Sequence, residues 1–125
     1  MLPPFPGGAY NSLQMPPDPI VTITDGNFES EVTDSGTPFL LDFSAEWCGP
    51  CRQMAPLVKE IALAWEGRLG VGLVDIEQSP GTAARFGVMS VPTFVFLGRD
   101  GVEAARFVGS VPRDRLAEAA GKVVD

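Results

Sequence analysis

The sequence of 125 residues contains no histidine and only two cysteines, Cys48 and Cys51. Two cysteines are too few for the disulfide framework of a small secreted scaffold. A zinc site usually takes four cysteine or histidine ligands, and this chain offers only two of them. The sequence therefore favours neither a disulfide-rich secreted domain nor a metal site.

Basic residues are absent before Arg52, so the charge of the chain is unevenly placed. Of the 16 acidic residues, seven precede Arg52, and the nine others match the nine basic residues, so the net charge of -7 arises in the first part of the chain. Nucleic acids and anionic membranes attract basic surfaces, so neither is predicted as a partner. The acidic part is either a solvated face that aids solubility or a docking surface for a basic partner.

Long apolar runs are also absent, and none approaches the roughly 20 residues of a membrane span. The N-terminus lacks the basic and apolar regions of a secretory signal, so we expect a cytoplasmic protein. Residues 1–19 contain six of the 12 prolines together with Gly7 and Gly8. A segment of this composition cannot bury enough surface to offset the entropy cost of ordering it. We therefore predict a flexible arm at 1–19 and a single domain at 20–125. Alternatively, the few apolar side chains of the arm engage a partner.

Hydrophobic patterning predicts an α/β domain from residue 20 onward. Short apolar or β-branched runs predict strands at 20–23, 39–43, 71–76, 93–97 and 102–108. Apolar residues at helical spacing between Met54 and Trp65 predict a long helix, and shorter helices are predicted after Asp25 as N-cap, over 79–86 and from Pro112. Strands that alternate with helices and end in a hairpin predict a central mixed sheet of four to five strands with helices on both faces.

The cysteine pair admits three interpretations, namely a redox couple, half of a metal site or a structural staple. A staple that closes so short a loop removes little entropy from the unfolded chain. A redox couple fits better, because Cys48 directly precedes the long helix and Cys51 falls in its first turn. Backbone N–H groups at a helix N-terminus favour the thiolate of Cys48, the species that attacks a disulfide. Cys51, one turn further and on the buried side, is placed to resolve a mixed disulfide.

These motifs resemble those of the thioredoxin family. The resemblance is carried by the pentapeptide Trp47-Cys48-Gly49-Pro50-Cys51 and extends from about residue 19 to the C-terminus. Further matches are Asp42-Phe43, Ala45-Glu46, Gln78-Ser79-Pro80-Gly81-Thr82, Phe86-Gly87-Val88, Val91-Pro92-Thr93 and Gly109. The resemblance implies a thioredoxin fold and a protein-disulfide reductase, and the Gly-Pro pair between the cysteines is typical of its reducing members.

The resemblance also implies roles for individual residues. Cys48 is expected to be an exposed nucleophile, Cys51 the resolving thiol and Asp42 a buried acid that assists proton removal from Cys51. Independently, an acid inside an apolar strand predicts burial and a raised pKa for Asp42, unless local hydrogen bonds stabilise its charge. Pro92 matches a cis proline. The expected active-site loop contains Trp47, Gly49 and Pro50, and the expected substrate-binding residues are Gly87, Val91, Pro92, Thr93 and Gly109.

The resemblance further implies partners and exposes two departures from the family pattern. The expected partners are disulfide-containing proteins and a thioredoxin reductase, an NADPH-dependent flavoprotein, and no bound cofactor is expected. Leu73 stands where many bacterial relatives carry a lysine, and Ser44 replaces an aromatic residue common among them. Without that ammonium, the pKa of Asp42 is expected to be higher than in such relatives. Two alternatives stay open: a non-enzymatic binding subunit, and a specialised reductant in an oxidising compartment.

Overall fold

A computed structural model of the protein describes residues 18–125. Its strands are β1 (Ile20–Ile23), β2 (Phe39–Ser44), β3 (Gly70–Asp75), β4 (Thr93–Leu97) and β5 (Glu103–Val108). Its helices are α1 (Phe28–Glu31), α2 (Gly49–Ala64), α3 (Pro80–Arg85) and α4 (Arg113–Val124), with a 3-10 helix at Thr33–Ser35. This order confirms the predicted alternation of strands and helices. The predicted arm lies outside the described residues, except for its last two positions.

All five strands of this part of the chain form one mixed sheet in the order β1-β3-β2-β4-β5. β1, β3 and β2 run parallel, whereas β4 is antiparallel to both β2 and β5. The carboxyl ends of the three parallel strands therefore lie at the same edge of the sheet. No helix of residues 18–125 is long and apolar enough to cross a membrane.

Helices cover both faces of the sheet, as predicted. Phe39, Leu41 and Phe43 of β2 pack in the same cluster as buried residues of α1 and α3. Leu40 packs in the opposite cluster, which contains the buried residues of α4 and, apart from Cys51, those of α2. Because side chains alternate along a strand, Asp42 shares the face of Leu40 and lies toward α2. The acid is thus placed on the face that the cysteine-bearing helix covers.

The predicted role of Asp25 as the N-cap of α1 is wrong. Asn27 occupies that position, and α1 begins one residue later. Asp25 instead accepts hydrogen bonds from the Gly81 N–H at 3.0 Å, the Thr82 N–H at 2.7 Å and the Thr82 hydroxyl at 2.7 Å. The hydrogen bonds from Thr82 hold the pKa of the Asp25 carboxyl below its ordinary value. Asp25 therefore ties the loop between β1 and α1 to the first turn of α3.

Candidate active site

The cysteine pair lies at the N-terminus of α2, where the sequence predicts it. Cys48 is the N-cap residue, Gly49 is the first helical residue and Pro50 occupies the first turn, where its missing N–H leaves no hydrogen bond unmade. Cys48 and Cys51 form a disulfide with their Cα atoms 5.3 Å apart. The Cys51 N–H donates a hydrogen bond to the Cys48 sulfur at 3.2 Å. The structure therefore shows the oxidised state, with a helix N–H directed at Cys48.

Both cysteines of the disulfide are buried, and the expectation of an exposed Cys48 is wrong for this oxidised state. Cys48 is 4% exposed and Cys51 is 6% exposed. The pair forms a small apolar cluster with Ala45, against which Ile76 and Val91 pack. The two residues are exposed to nearly the same small extent, so exposure does not distinguish the two cysteines.

Trp47, immediately before the pair, is 64% exposed. Trp47 is therefore a surface residue and not part of the core. The indole N–H donates a hydrogen bond to the Glu77 carboxylate at 3.1 Å. Glu77 was not among the predicted site residues, although its place two residues after β3, at the same sheet edge as Trp47, is a usable signal.

Three of the expected substrate-binding residues lie next to the cysteines, in the loop before β4 and at the first position of that strand, and a hydrogen bond joins them to a fourth. Val91 packs against the cysteine cluster, and the Val91–Pro92 peptide bond is cis, as the resemblance implies. The Gly109 N–H donates a hydrogen bond to the Pro92 carbonyl at 2.8 Å. The Thr93 hydroxyl donates to the Ser90 carbonyl at 2.7 Å. Val91, Pro92, Thr93 and Gly109 therefore come together on one side of the pair.

Gly87, the fifth expected substrate-binding residue, lies in a different segment of the chain. It ends the turn after α3 with a φ of +62°, a backbone conformation that glycine adopts readily. Its N–H donates to the Ala84 carbonyl at 3.0 Å. The turn after α3 thus fixes its position.

Asp42 is only 6% exposed, and this burial raises its pKa to about 7. The predicted burial and the predicted direction of the pKa shift are therefore confirmed. Burial is the sole cause of the shift, with no opposing contribution from a hydrogen bond or a cation in the described residues. The alternative in which local hydrogen bonds stabilise the charge is wrong. Leu73 is paired with Asp42 in the β2–β3 register, so an apolar side chain lies beside the acid.

A cysteine pair that forms a disulfide at a helix N-terminus, beside a buried acid, defines the chain as a thiol–disulfide oxidoreductase. The thioredoxin family model matches residues 19–122. The chain is 42% identical to the thioredoxin of Staphylococcus aureus over 103 residues, which are 82% of this chain and 96% of that protein. It is also 42% identical to thioredoxin 1 of Nostoc sp. over 96 residues, which are 77% of this chain and 89% of that protein. The chain belongs to the thioredoxin family and is a protein-disulfide reductase.

Membership of this family confirms the predicted fold and reaction class. It also indicates disulfide-containing substrates and a reductase as partners. The two alternatives from the sequence, a non-enzymatic binding subunit and a specialised reductant in an oxidising compartment, are not favoured.

Proposed function

We propose that Cys48 is the attacking thiolate and Cys51 the resolving thiol in the reduction of protein disulfides. The observation that carries this assignment is the hydrogen bond from the Cys51 N–H to the Cys48 sulfur at the start of α2. A backbone N–H and the positive end of a 16-residue helix both favour a negative charge on that sulfur. Cys51 lies inside the first turn, and its sulfur accepts no hydrogen bond from residues 18–125, so Cys48 is the better thiolate.

The proposed reaction moves two electrons from the protein to the substrate. In the first step, the Cys48 thiolate attacks one sulfur of a substrate disulfide, forms a mixed disulfide with it and releases the other sulfur as a thiolate. In the second step, Cys51 loses its proton and attacks the Cys48 sulfur. The Cys48–Cys51 disulfide forms, the mixed disulfide breaks, and the second substrate sulfur leaves as a thiolate. The product is the oxidised state that the structure shows.

We assign proton removal from Cys51 to Asp42. Both side chains line the same cavity beneath the first turn of α2. Because burial raises the pKa of Asp42 to about 7, its carboxylate is a far better proton acceptor than an ordinary aspartate and still ionises near neutral pH. The proton passes from the Cys51 thiol to the Asp42 carboxylate as Cys51 attacks.

The proposed substrate surface lies on the other side of the cysteines. Trp47, exposed and held by Glu77, forms one border together with Gly49 and Pro50 of the active-site loop. Val91, Pro92, Thr93 and Gly109 form the other border, with Gly87 in the neighbouring turn. Val91 precedes β4 and lies outside its ladder with β5, so its backbone is placed to pair with an extended substrate segment as a strand would.

The oxidised pair is recycled, in this proposal, by a thioredoxin reductase that uses NADPH and a flavin. The chain itself works without a bound cofactor and acts in the cytoplasm, with residues 20–125 as the redox domain and residues 1–19 as a flexible arm. The match to the thioredoxin family model and the similarity to bacterial thioredoxins support the choice of reductase.

Single-cysteine variants and insulin reduction test the proposal. Cys51→Ser is expected to trap a covalent mixed disulfide with a substrate, whereas the matched Cys48→Ser is not, because it lacks the attacking sulfur. Reduction of insulin by the unmodified chain is followed with NADPH and candidate flavoprotein reductases. Trapping by Cys48→Ser instead of Cys51→Ser would reverse the assigned roles, and insulin reduction supported only by a reductase without flavin would contradict the proposed partner.

A further inference from the structure

A cavity of about 540 Å³ lies between the sheet and the first turns of α2. It is located at the carboxyl ends of the parallel strands β1, β2 and β3, where ligands of open α/β sheets commonly bind. Its size falls within the range of about 300–1,000 Å³ that is usual for small-molecule sites. The cavity reaches Cys51 but not Cys48, and no residue of the proposed substrate surface lines it.

The cavity exists because small and polar side chains meet at this level of the fold. One layer further from this edge, Ile20, Leu40 and Val71 of the same strands pack with Val58 of α2 in the apolar core. At the level of the cavity, the facing residues are Thr22, Asp42, Ser44, Leu73 and Asp75 from the strands, and Cys51 and Ala55 from the helix. None of these side chains spans the gap between sheet and helix, so the space stays open.

Asp42 forms the polar floor of this cavity and has no partner in the described residues. Asp42 is 6% exposed, and neither a hydrogen bond nor a cation of the described residues offsets the effect of its burial. Every fully enclosed polar side-chain atom of residues 18–125 does have a hydrogen-bond partner. The unpartnered carboxyl oxygens of Asp42 are therefore not fully enclosed, and they face the cavity. A buried polar group without a partner is costly, so a ligand that supplies a hydrogen-bond donor is stabilised there.

The charged residues around the cavity favour one sign of charge on such a ligand. Asp75 and Glu46 line it together with Asp42, and Arg52 is the one cation among the lining residues. The Arg52 guanidinium donates a hydrogen bond of 2.6 Å to the Glu46 carbonyl, which directs it to the rim. Acidic groups thus outnumber basic groups, and most of the remaining wall is apolar.

We propose that this cavity binds a small apolar amine, with its ammonium group against Asp42 and its apolar body against Leu73 and Ala55. The ammonium supplies the donor and the positive charge that Asp42 lacks. The apolar wall excludes strongly hydrated cations, which keep their water. This site is separate from the proposed substrate surface and does not depend on the redox roles of the cysteines.

Binding of matched probes to the oxidised full-length chain tests the proposal, with protein amide resonances as the readout. Benzylamine, cationic near neutral pH, is expected to shift the amide resonances of Thr22, Leu73 and Asp75 but not those of Val91 and Thr93. Benzyl alcohol has the same size without the charge and should bind about tenfold more weakly, because a hydrogen bond to a charged group is stronger than a neutral one. Benzoate, an anion, should not bind. Equal binding of all three probes, or no shifts at the cavity, overturns the proposal.

Three variants test the contribution of the Asp42 charge separately from that of the cavity volume. Asp42→Asn keeps the shape of the acid and should weaken benzylamine binding to the level of benzyl alcohol. Ser44→Phe fills the cavity and should abolish binding, whereas the matched Ser44→Ala should retain it. If Ser44→Phe does not fold, Ala55→Phe fills the same space from the surface of α2. Retained binding in the filled variant refutes the site.

Two other occupants of the cavity are distinguishable in the same spectra. Shifts of the cavity resonances that depend on protein concentration without any amine would indicate a second copy of the chain. Nuclear Overhauser contacts from residues 1–17 to Leu73 would indicate that the chain's own N-terminal segment fills the cavity. Either result overturns the proposal of an amine site.

Discussion

Replacing Asp42 by asparagine measures how strongly burial disfavours its ionised form. Asparagine keeps the shape of the side chain and removes its titration. The pKa of this carboxyl is raised from 3.8 to about 7 in the folded protein. Because each pKa unit corresponds to about 1.4 kcal/mol, ionised Asp42 lowers the free energy of unfolding by about 4 kcal/mol.

The direction of the pH dependence follows from the raised pKa of Asp42. The folded protein holds the proton more tightly than the unfolded chain, so the stabilising contribution is complete below pH 3.8 and is lost as the pH rises through about 7. We therefore expect Asp42→Asn to gain stability over the unmodified protein as the pH rises, by about 3 kcal/mol between about pH 5 and about pH 8.5. The cysteines do not contribute, because they are joined in the oxidised protein.

Urea unfolding of the oxidised protein at several pH values measures this difference. Asp34→Asn serves as the matched control, because Asp34 is exposed in the 3-10 helix and the substitution makes the same chemical change at the surface. A constant difference between Asp42→Asn and the unmodified protein across the same range would refute the reasoning. It would mean that Asp42 ionises in the folded state as easily as in the unfolded chain.

Three further substitutions test other parts of the structure. Leu73→Lys places an ammonium beside Asp42, which should lower the pKa of that acid and move the pH profile of Cys51 alkylation to lower pH. Leu73→Met is the control, and an unchanged profile in Leu73→Lys contradicts this expectation. Gly70→Ala brings a methyl group into the ring of Phe39 and should cost about 1–3 kcal/mol of stability in urea unfolding; a cost no larger than that of an exposed substitution shows that the ring gives way. Asp25→Ala removes three hydrogen bonds at the start of α3 and should lower the melting temperature, and an unchanged temperature would show that water replaces them.

The elements around the site were predictable because their signals are local. β2 is a continuous apolar run, and α2 repeats its apolar residues at helical spacing, so both follow from the sequence within one or two residues. The burial of Asp42 follows in the same way, since its neighbours in β2 are buried on both faces of the sheet. The position of the cysteine pair can be predicted once the start of α2 is known.

Features that depend on distant residues were not predictable. Asp25 is a residue type that is common at N-caps, but its hydrogen-bond partner Thr82 lies 57 residues away in the sequence. Whether Asp25 accepts hydrogen bonds at the start of α1 or of α3 is decided only in the folded chain. The burial of Cys48 depends on Val91, which reaches the disulfide from another loop. Sequence patterns record which face of an element is apolar, and they do not record which neighbour covers a given side chain.

The cavity beside Asp42 shows the same limit at the level of the site. The sequence identifies Leu73 and Ser44 as departures from related proteins, and from Leu73 alone it implies only the loss of a nearby positive charge. The structure adds that Ser44, Leu73 and the small Ala55 meet at one level and leave a space of about 540 Å³. Asp42 therefore has no opposite charge beside it and also faces the cavity, so a ligand that enters the cavity matters more to this acid. Leu73 in place of a lysine explains the missing charge, whereas the cavity requires residues of β2, β3 and α2 to be placed together.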